Sequence, residues 1–117
     1  MNALTQWHID SSQKLYFLLF LHNHPRLKGT GRELAEQAFL GDTPQADRII
    51  ADLQQLGLLD RVDNAYRLRE TPEIKAGLQE LARAFEQPLI RQKMLATVRH
   101  REYFVRYRLH GSKVAVS

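Results

Sequence analysis

The fold is decided by residues 30–69, which read TGRELAEQAFLGDTPQADRIIADLQQLGLLDRVDNAYRLR. Apolar residues recur at helical spacing through most of this stretch, and the pattern changes to alternation just past Gly57. A period near 3.6 residues indicates an amphipathic helix, whereas a period of two indicates a half-buried strand. The stretch therefore predicts two helices joined by a turn and followed by a short two-stranded hairpin.

The predicted helices have recognisable ends. Thr30 and Glu33 have the spacing of a capping box, in which each side chain hydrogen-bonds the other residue's amide. Gly41 is expected to break that first helix. Thr43, followed by a proline, is expected to cap the second helix, because proline suits a first helical position. Gly57 is placed to end it in a left-handed conformation.

The hairpin is predicted from two alternating runs, 58–62 and 65–69, on either side of Asp63-Asn64. Asp and Asn tolerate the positive φ that tight turns demand. We therefore expect a compact hairpin.

The segments on both sides of this stretch are also predicted to be helical. The first runs from Asp10 or Ser11 to about His24, and its interior, residues 15–21, is apolar on all sides. Such a helix is usually buried all round, so it needs a second cover, either a C-terminal helix or another subunit. Trp7, Ile9, Leu15–Leu21 and the helices after Thr71 form the candidate subunit interface.

The C-terminal part begins with a helix capped by Thr71 and interrupted at Pro88. A new helix or a kink is expected from Pro88 to about His100, with Leu89, Leu95 and Val98 directed inward. The final residues, 102–117, fit either a small hairpin or a frayed helical tail.

This order of elements is typical of a winged helix-turn-helix, and residues 14–72 resemble the transcriptional regulators of the MarR type. The resemblance rests on DRIIADLQQLGLL, followed by a hairpin ending in YRLRE. It implies that helix 43–56 is a recognition helix, with Gln45, Asp47 and Arg48 toward base edges. It also implies that the wing, residues 58–69, contacts phosphates. The wing residues expected to do so are Arg61, Arg67 and Arg69.

The chemistry of these residues partly agrees with a DNA-reading role. Gln pairs with adenine and Arg with guanine in the major groove, and Thr30, Arg32 and Thr43 stand where phosphate contacts usually fall. Against this, carboxylates near phosphates oppose binding, and helix 43–56 carries or adjoins three. They are Asp42, Asp47 and Asp52. A purely structural alternative for Arg48 is an ion pair with Asp52 at four-residue spacing.

Charge is unevenly distributed along the chain, whose net charge is +4. Residues 1–71 hold eight basic and nine acidic residues, whereas residues 72–117 hold nine basic and four acidic ones. The basic C-terminal segment, which includes Arg99 and Arg101, either supports nucleic-acid binding or is simply solvated. Its aromatic neighbours leave single-stranded nucleic acid as a further option.

The composition and the residue spacing argue against several other classes of protein and site. The 117 residues contain no cysteine, which excludes disulfides and thiolate sites and fits a reducing cytoplasm. No run approaches the roughly 20 apolar residues of a membrane span. His22 and His24 lie two residues apart and do not share a helix face, so we expect no metal site. We also expect no cofactor and no enzymatic activity, because no acid–base constellation is recognisable.

The sequence thus predicts a mainly α protein with one structural domain. Residues 1–71 would form the winged helix-turn-helix with an N-terminal arm, and residues 72–117 the dimerising C-terminal helices and basic tail. The expected function is transcriptional regulation by a cytoplasmic homodimer on double-stranded DNA, with any small-molecule effector unknown. The alternative is a protein-interaction module that docks through the acidic helix 43–56 or the apolar segment 15–21.

Overall fold

The computed structural model describes residues 3–38, 40 and 43–114, except for the side chains of residues 3, 5, 43 and 102–114. Helices occupy most of this part of the chain, and three short strands form one antiparallel sheet. In chain order the elements are α1 (Ala3–Gln6), α2 (Ser12–Asn23), β1 (Lys28–Gly29), α3 (Gly31–Gln37), α4 (Thr43–Gln55), β2 (Leu59–Val62), β3 (Ala65–Leu68), α5 (Pro72–Glu86) and α6 (Pro88–Val114).

The mainly α prediction is confirmed, but the sheet has three strands rather than two. The predicted hairpin is present as β2 and β3, and β1 adds to the free edge of β3 to give the order β1-β3-β2. Alternation cannot reveal a strand of two residues, so β1 could not be predicted from the sequence pattern. Helices followed by a small antiparallel sheet are compatible with a winged-helix-like fold.

The predicted capping box of α3 and the predicted left-handed glycine after α4 are both confirmed. The Thr30 hydroxyl accepts from the Glu33 amide at 3.2 Å, and the Glu33 carboxylate accepts from the Thr30 amide at 3.0 Å. Gly57 has a φ of 83° and follows α4, as the left-handed position requires. The other expected break, Gly41, lies outside the described residues, as do Phe39 and Asp42. The residue expected to cap α4, Thr43, is itself the first helical residue.

The core is built around α2, whose apolar residues are covered from both sides. Leu15, Phe17, Leu18 and Leu21 are fully buried, whereas Tyr16 remains 47% exposed. One cover is the α3–α4 pair with the sheet, and the other is formed by α5 and α6. The second cover is therefore the chain's own C-terminal helices.

This packing corrects the predicted subunit interface. Trp7, Ile9 and the inner residues of α2 are buried within one chain, so they are not available to a second one. The same burial makes Leu15, Phe17, Leu18 and Leu21 unavailable to a partner protein, whereas Tyr16 remains exposed. Apolar character alone does not distinguish a core helix from an interface helix, and that explains the misassignment.

The C-terminal helix also differs from the prediction. It begins at Pro88 as expected, but its backbone stays helical to Val114, so the hairpin alternative for the last residues is wrong. Val98 is buried and Leu95 partly so, whereas Leu89 is 74% exposed and was wrongly placed inward. Met94 is buried on the inner face of α6, and Leu89 lies outside the stripe that faces α5 and α2. Among the described residues, no helix is long and apolar enough to cross a membrane.

Candidate nucleic-acid interface

The outer face of α4 is open to solvent along its length. Ala46, Ile49, Ile50 and Leu53 point into the core, at the helical spacing that the sequence predicted. The opposite face presents Pro44, Asp47, Arg48, Ala51, Gln54 and Gln55. Gln45, a predicted base contact, is only half exposed at the edge of this face.

Two other elements border the first turns of this face. A Cβ atom added to Gly31, the first residue of α3, would lie 3.4 Å from Ile50 Cδ1 and 3.8 Å from Asp47 Oδ1. The same atom would lie 3.9 Å from Cε2 of Tyr66 in β3. The start of α3, the exposed face of α4 and one face of the hairpin therefore meet at Gly31. We call this region the junction surface, defined by Thr30, Gly31, Arg32, Asp47, Arg48, Arg61 and Tyr66.

Asp52, one of the three carboxylates that counted against DNA binding, is half-exposed and forms an ion pair with Lys14 of α2. Its Oδ2 lies 3.3 Å from Nζ of Lys14, and Asp10 Oδ1 lies at the same distance from that ammonium. Lys14 is 2% exposed and also donates to the carbonyl of His8 at 3.1 Å. The alternative ion pair between Arg48 and Asp52 is not found among the described residues. Asp52 belongs to the link between α2 and α4, and Arg48 remains on the exposed face.

The start of α3 carries two of the predicted phosphate contacts. The Thr30 hydroxyl is already engaged in the capping box. The hydrogen bonds that the Glu33 carboxylate accepts from the Thr30 amide and the Thr30 side chain lower the pKa of Glu33. Arg32 is exposed and lies 3.4 Å from Glu36, also exposed, in an ion pair one turn along the helix. Exposed ion pairs contribute little to stability, so Arg32 can exchange Glu36 for another anion at little cost. The third such residue, Thr43, has its side chain outside the described set.

Two of the three wing arginines of the prediction, Arg61 and Arg67, lie on opposite faces of the hairpin. Arg61 pairs with Tyr66 across β2 and β3, and its guanidinium lies 5.8 Å from the centre of the Tyr66 ring. Arg61 Nε also donates to the Asp63 carbonyl at 3.0 Å, in the turn where Asp63 has a φ of 56°. Arg67 follows Tyr66 in β3, and neighbouring residues of a strand point to opposite sides. Arg61 thus belongs to the junction surface and Arg67 to the outer face of the sheet.

Arg69, the third wing arginine of the prediction, is tied to the root of the hairpin. Its Nη2 and Nε lie 2.6 and 2.8 Å from Asp60 Oδ1. This hydrogen-bonded pair lowers the pKa of Asp60 and raises the pKa of Arg69. The contact holds β2 against the end of β3, so Arg69 has a structural partner that the sequence did not suggest.

Part of the basic C-terminal segment also has a structural role. Arg101 Nη1 donates to the Leu4 carbonyl at 2.6 Å and to the Ile9 carbonyl at 3.4 Å. This side chain fastens the N-terminal segment to α6, although the sequence grouped it with possible nucleic-acid contacts. Arg99, two residues earlier, is exposed.

Sequence reasoning missed Tyr66 and Lys14. The alternating pattern predicts that Tyr66 points toward the core, so the sequence did not suggest a surface role for it. In the structure Tyr66 lies beside Gly31 and Arg61. Lys14 stands on an otherwise apolar helix, four residues after Asp10. That spacing was a usable signal for a buried ion pair.

No group of three or more potential metal ligands occurs among the described side chains. Comparison of the chain with protein-family models, with curated proteins and with solved structures found no match. The junction surface must therefore be interpreted from its own geometry.

Proposed function

We propose that the protein is a DNA-binding transcriptional regulator of the winged helix-turn-helix type. In this proposal α4 enters the major groove, the start of α3 approaches the phosphate backbone, and the β2–β3 hairpin acts as the wing. A helix with one exposed polar face fits the major groove of B-DNA, which is about 12 Å wide. The fold alone does not imply this function, so the support must come from the site.

The observation that carries the proposal is the arrangement of the junction surface. An unobstructed helix face has polar side chains, and its first turns are bordered by Thr30–Arg32 together with Arg61 and Tyr66. These parts are far apart in the sequence. Together they provide a helix, α4, that fits the major groove, with the cations of Arg32 and Arg61 beside it.

The electrostatics of this surface are compatible with a polyanion. Lys14 is shared between Asp10 and Asp52, so this group keeps one net negative charge, but Asp52 is half-buried and turned toward Lys14. Asp47 is the one carboxylate of the described α4 residues that is fully on the exposed face. Arg48 lies next to it, with Arg32 and Arg61 at the margins. In this proposal Arg32 and Arg61 neutralise phosphates, while Arg48 hydrogen-bonds guanine and Asp47 accepts from a cytosine amine.

Binding measurements on single variants test these roles. A duplex first selected from a random library is compared with a scrambled duplex by fluorescence anisotropy, at a fixed salt concentration. Arg48→Ala should reduce the ratio between the two affinities about tenfold, because base contacts carry sequence preference. Arg61→Ala should weaken binding to both duplexes equally and lower the salt slope by about 1.

The matched control for both variants is Arg83→Ala, which removes an exposed arginine from α5. It should behave as the wild type. The proposal would be abandoned if no duplex were enriched and if wild type and all three variants bound DNA with equal, weak affinity.

The second candidate is a protein-interaction module that uses the same helix. It is favoured by the near balance of charge on α4, where Asp47 and Arg48 are neighbours. Under this alternative, DNA affinity stays low at all salt concentrations. Asp47→Asn should raise DNA affinity if α4 faces phosphates, whereas it should leave weak non-specific binding unchanged if α4 docks on a protein.

We propose in addition that the regulator acts as a homodimer on pseudo-palindromic sites, with half-sites about one helical turn apart. Since the inner face of α2 is occupied, we assign the contact to an apolar surface of the described residues where Tyr16 of α2 packs on Phe85, close to the start of α6. Its exposed members are Tyr16, Leu89 and Ile90. Sedimentation equilibrium of the wild type and of Leu89→Lys tests this contact, and a dimer that is unaffected by the lysine would place the interface elsewhere.

A further inference from the structure

A concave surface lies on the outer face of the sheet, on the side away from Arg61 and Tyr66. The cavity measures about 430 Å³. We call it the outer hollow. Its charged lining residues are Arg26, Lys28, Asp60, Arg67 and Glu70, and Pro25 and Leu68 complete the wall.

The strand register brings two cations of this lining together. Lys28 in β1 is directly opposite Arg67 in β3, so both side chains project from the same face of the sheet. Like charges at directly opposite positions destabilise a strand pair. Both side chains are exposed, and neither has an ion pair among the described residues. Arg26, two residues before Lys28, adds a third cation to the same hollow.

The neighbouring carboxylates do not balance this charge. Asp60 is opposite Arg67 across β2 and β3, but its Oδ1 is held by two nitrogen atoms of Arg69. Glu70 is the remaining carboxylate of the lining. The hollow therefore presents Arg26, Lys28 and Arg67 to solvent against one uncommitted acidic side chain.

We propose that the outer hollow binds a phosphate group through Arg26, Lys28 and Arg67. Guanidinium groups donate two parallel hydrogen bonds to phosphate oxygens, and a lysine ammonium adds a compact charge. A phosphate also relieves the repulsion between Lys28 and Arg67. The phosphate belongs either to a small phosphorylated compound or to duplex DNA beyond the part that α4 reads.

This site is separate from the proposed reading surface. Arg67 and Arg61 project from opposite faces of the same hairpin, and no residue of α4 lines the outer hollow. A test of the phosphate site is therefore independent of whether Arg48 and Arg61 contact DNA.

Titration of the full chain with pyrophosphate, followed by NMR, tests the proposal. Sodium chloride keeps the ionic strength constant, and the backbone amides of Lys28 and Arg67 and the Nε–H groups of the arginines are observed. Saturable shifts are expected at Arg26, Lys28 and Arg67. The double variant K28Q/R67Q should weaken pyrophosphate binding at least tenfold, and E70Q should strengthen it.

The matched control is K75Q/R83Q, which removes the same number of positive charges from exposed positions of α5. It should bind pyrophosphate as the wild type does. The proposal is overturned by shifts that stay linear in pyrophosphate concentration, or by equal affinities in K28Q/R67Q and K75Q/R83Q. E70Q has the native cations and provides a second check if K28Q/R67Q does not fold.

The source of the phosphate is distinguished with the selected duplex. If K28Q/R67Q weakens duplex binding and pyrophosphate competes with DNA, the backbone supplies the phosphate. If duplex binding is unchanged while pyrophosphate binding is lost, a soluble phosphorylated compound does. Both results support the phosphate site, and Arg48→Ala should leave pyrophosphate binding intact in either case.

Discussion

At the scale of single residues, close packing at one position leaves no room for a side chain. Gly77 lies in the middle of α5, against the indole ring of Trp7. A Cβ atom there would lie 2.6 Å from Cη2 and 2.8 Å from Cζ2 of that ring. The missing side chain is what allows the N-terminal segment to pack on α5.

We therefore predict that Gly77→Ala destabilises the protein by about 1–3 kcal/mol, because Trp7 is buried and has little room to move. Helix propensity alone predicts the opposite sign, with alanine better by about 1 kcal/mol. Urea unfolding measures the difference. Lys75→Ala, an exposed position of the same helix, is the control and should change stability little. A more stable Gly77→Ala would show that Trp7 does not pack as described.

A second residue-scale feature is the pair formed by Asp60 and Arg69. The hydrogen bond from Arg69 lowers the folded-state pKa of Asp60 below its ordinary value of 3.8. A lowered pKa in the folded state contributes stability above the ordinary value, and the contribution is lost as pH falls through the folded-state value.

Asp60→Asn should therefore reduce the acid sensitivity of folding. Urea unfolding between about pH 5 and pH 2 should show a smaller decline in the free energy of unfolding for the variant than for the wild type. Arg69→Gln should have the same effect, because it removes the same hydrogen bond. A decline in both variants equal to that of the wild type would contradict this pairing.

At the scale of elements, Lys14 connects three parts of the chain. Its buried ammonium contacts the His8 carbonyl before α2 and the carboxylates of Asp10 and Asp52, the latter on α4. Each carboxylate is 43% exposed and stays partly hydrated, whereas the Lys14 ammonium is buried and depends on its protein partners. Losing its partners should cost more than losing the lysine.

This asymmetry gives a prediction for a set of variants. Asp10→Ala with Asp52→Ala leaves a buried unpaired charge and should cost about 3 kcal/mol or more in unfolding free energy. Lys14→Met should cost less, since the half-exposed carboxylates remain solvated. In the Lys14→Met background the two alanine substitutions should have a much smaller effect. Equal effects in both backgrounds would contradict the link between α2 and α4.

Elements also show what the sequence could predict. The start of α3 and the conformation of Gly57 followed from local chemistry, because capping and left-handed glycine act within a few residues. The strand β1 and the exposure of Leu89 did not, because each depends on which distant element packs beside it. The same limit applies to Arg69 and Arg101, whose partners are set by tertiary contacts.

At the scale of the whole molecule, positive charge is distributed over separate surfaces. The sequence grouped Arg61 and Arg67 as one wing contact, but strand register directs them to opposite faces. It also assigned the basic excess to the C-terminal segment, where Arg101 proves to be a structural tie. The candidate reading surface could be located from the order of helices and strands, whereas its charge balance required the fold.

The long helix α6 gives the molecule its elongated form. A helix of 27 residues is about 40 Å long, and the longest extent of the chain is 49 Å. It packs on α5 and α2, and no residue of the junction surface belongs to α5 or α6. We therefore expect DNA to leave the environment of α5 unchanged.

The most direct test of the central claim is to map where a selected DNA duplex contacts the full chain by NMR. The account predicts saturable amide shifts at Thr30–Arg32, Asp47–Ala51 and Arg61, with α5 unaffected. Shifts that do not saturate, or that are confined to α5 and α6, would contradict the assignment of α4 as a DNA-reading helix.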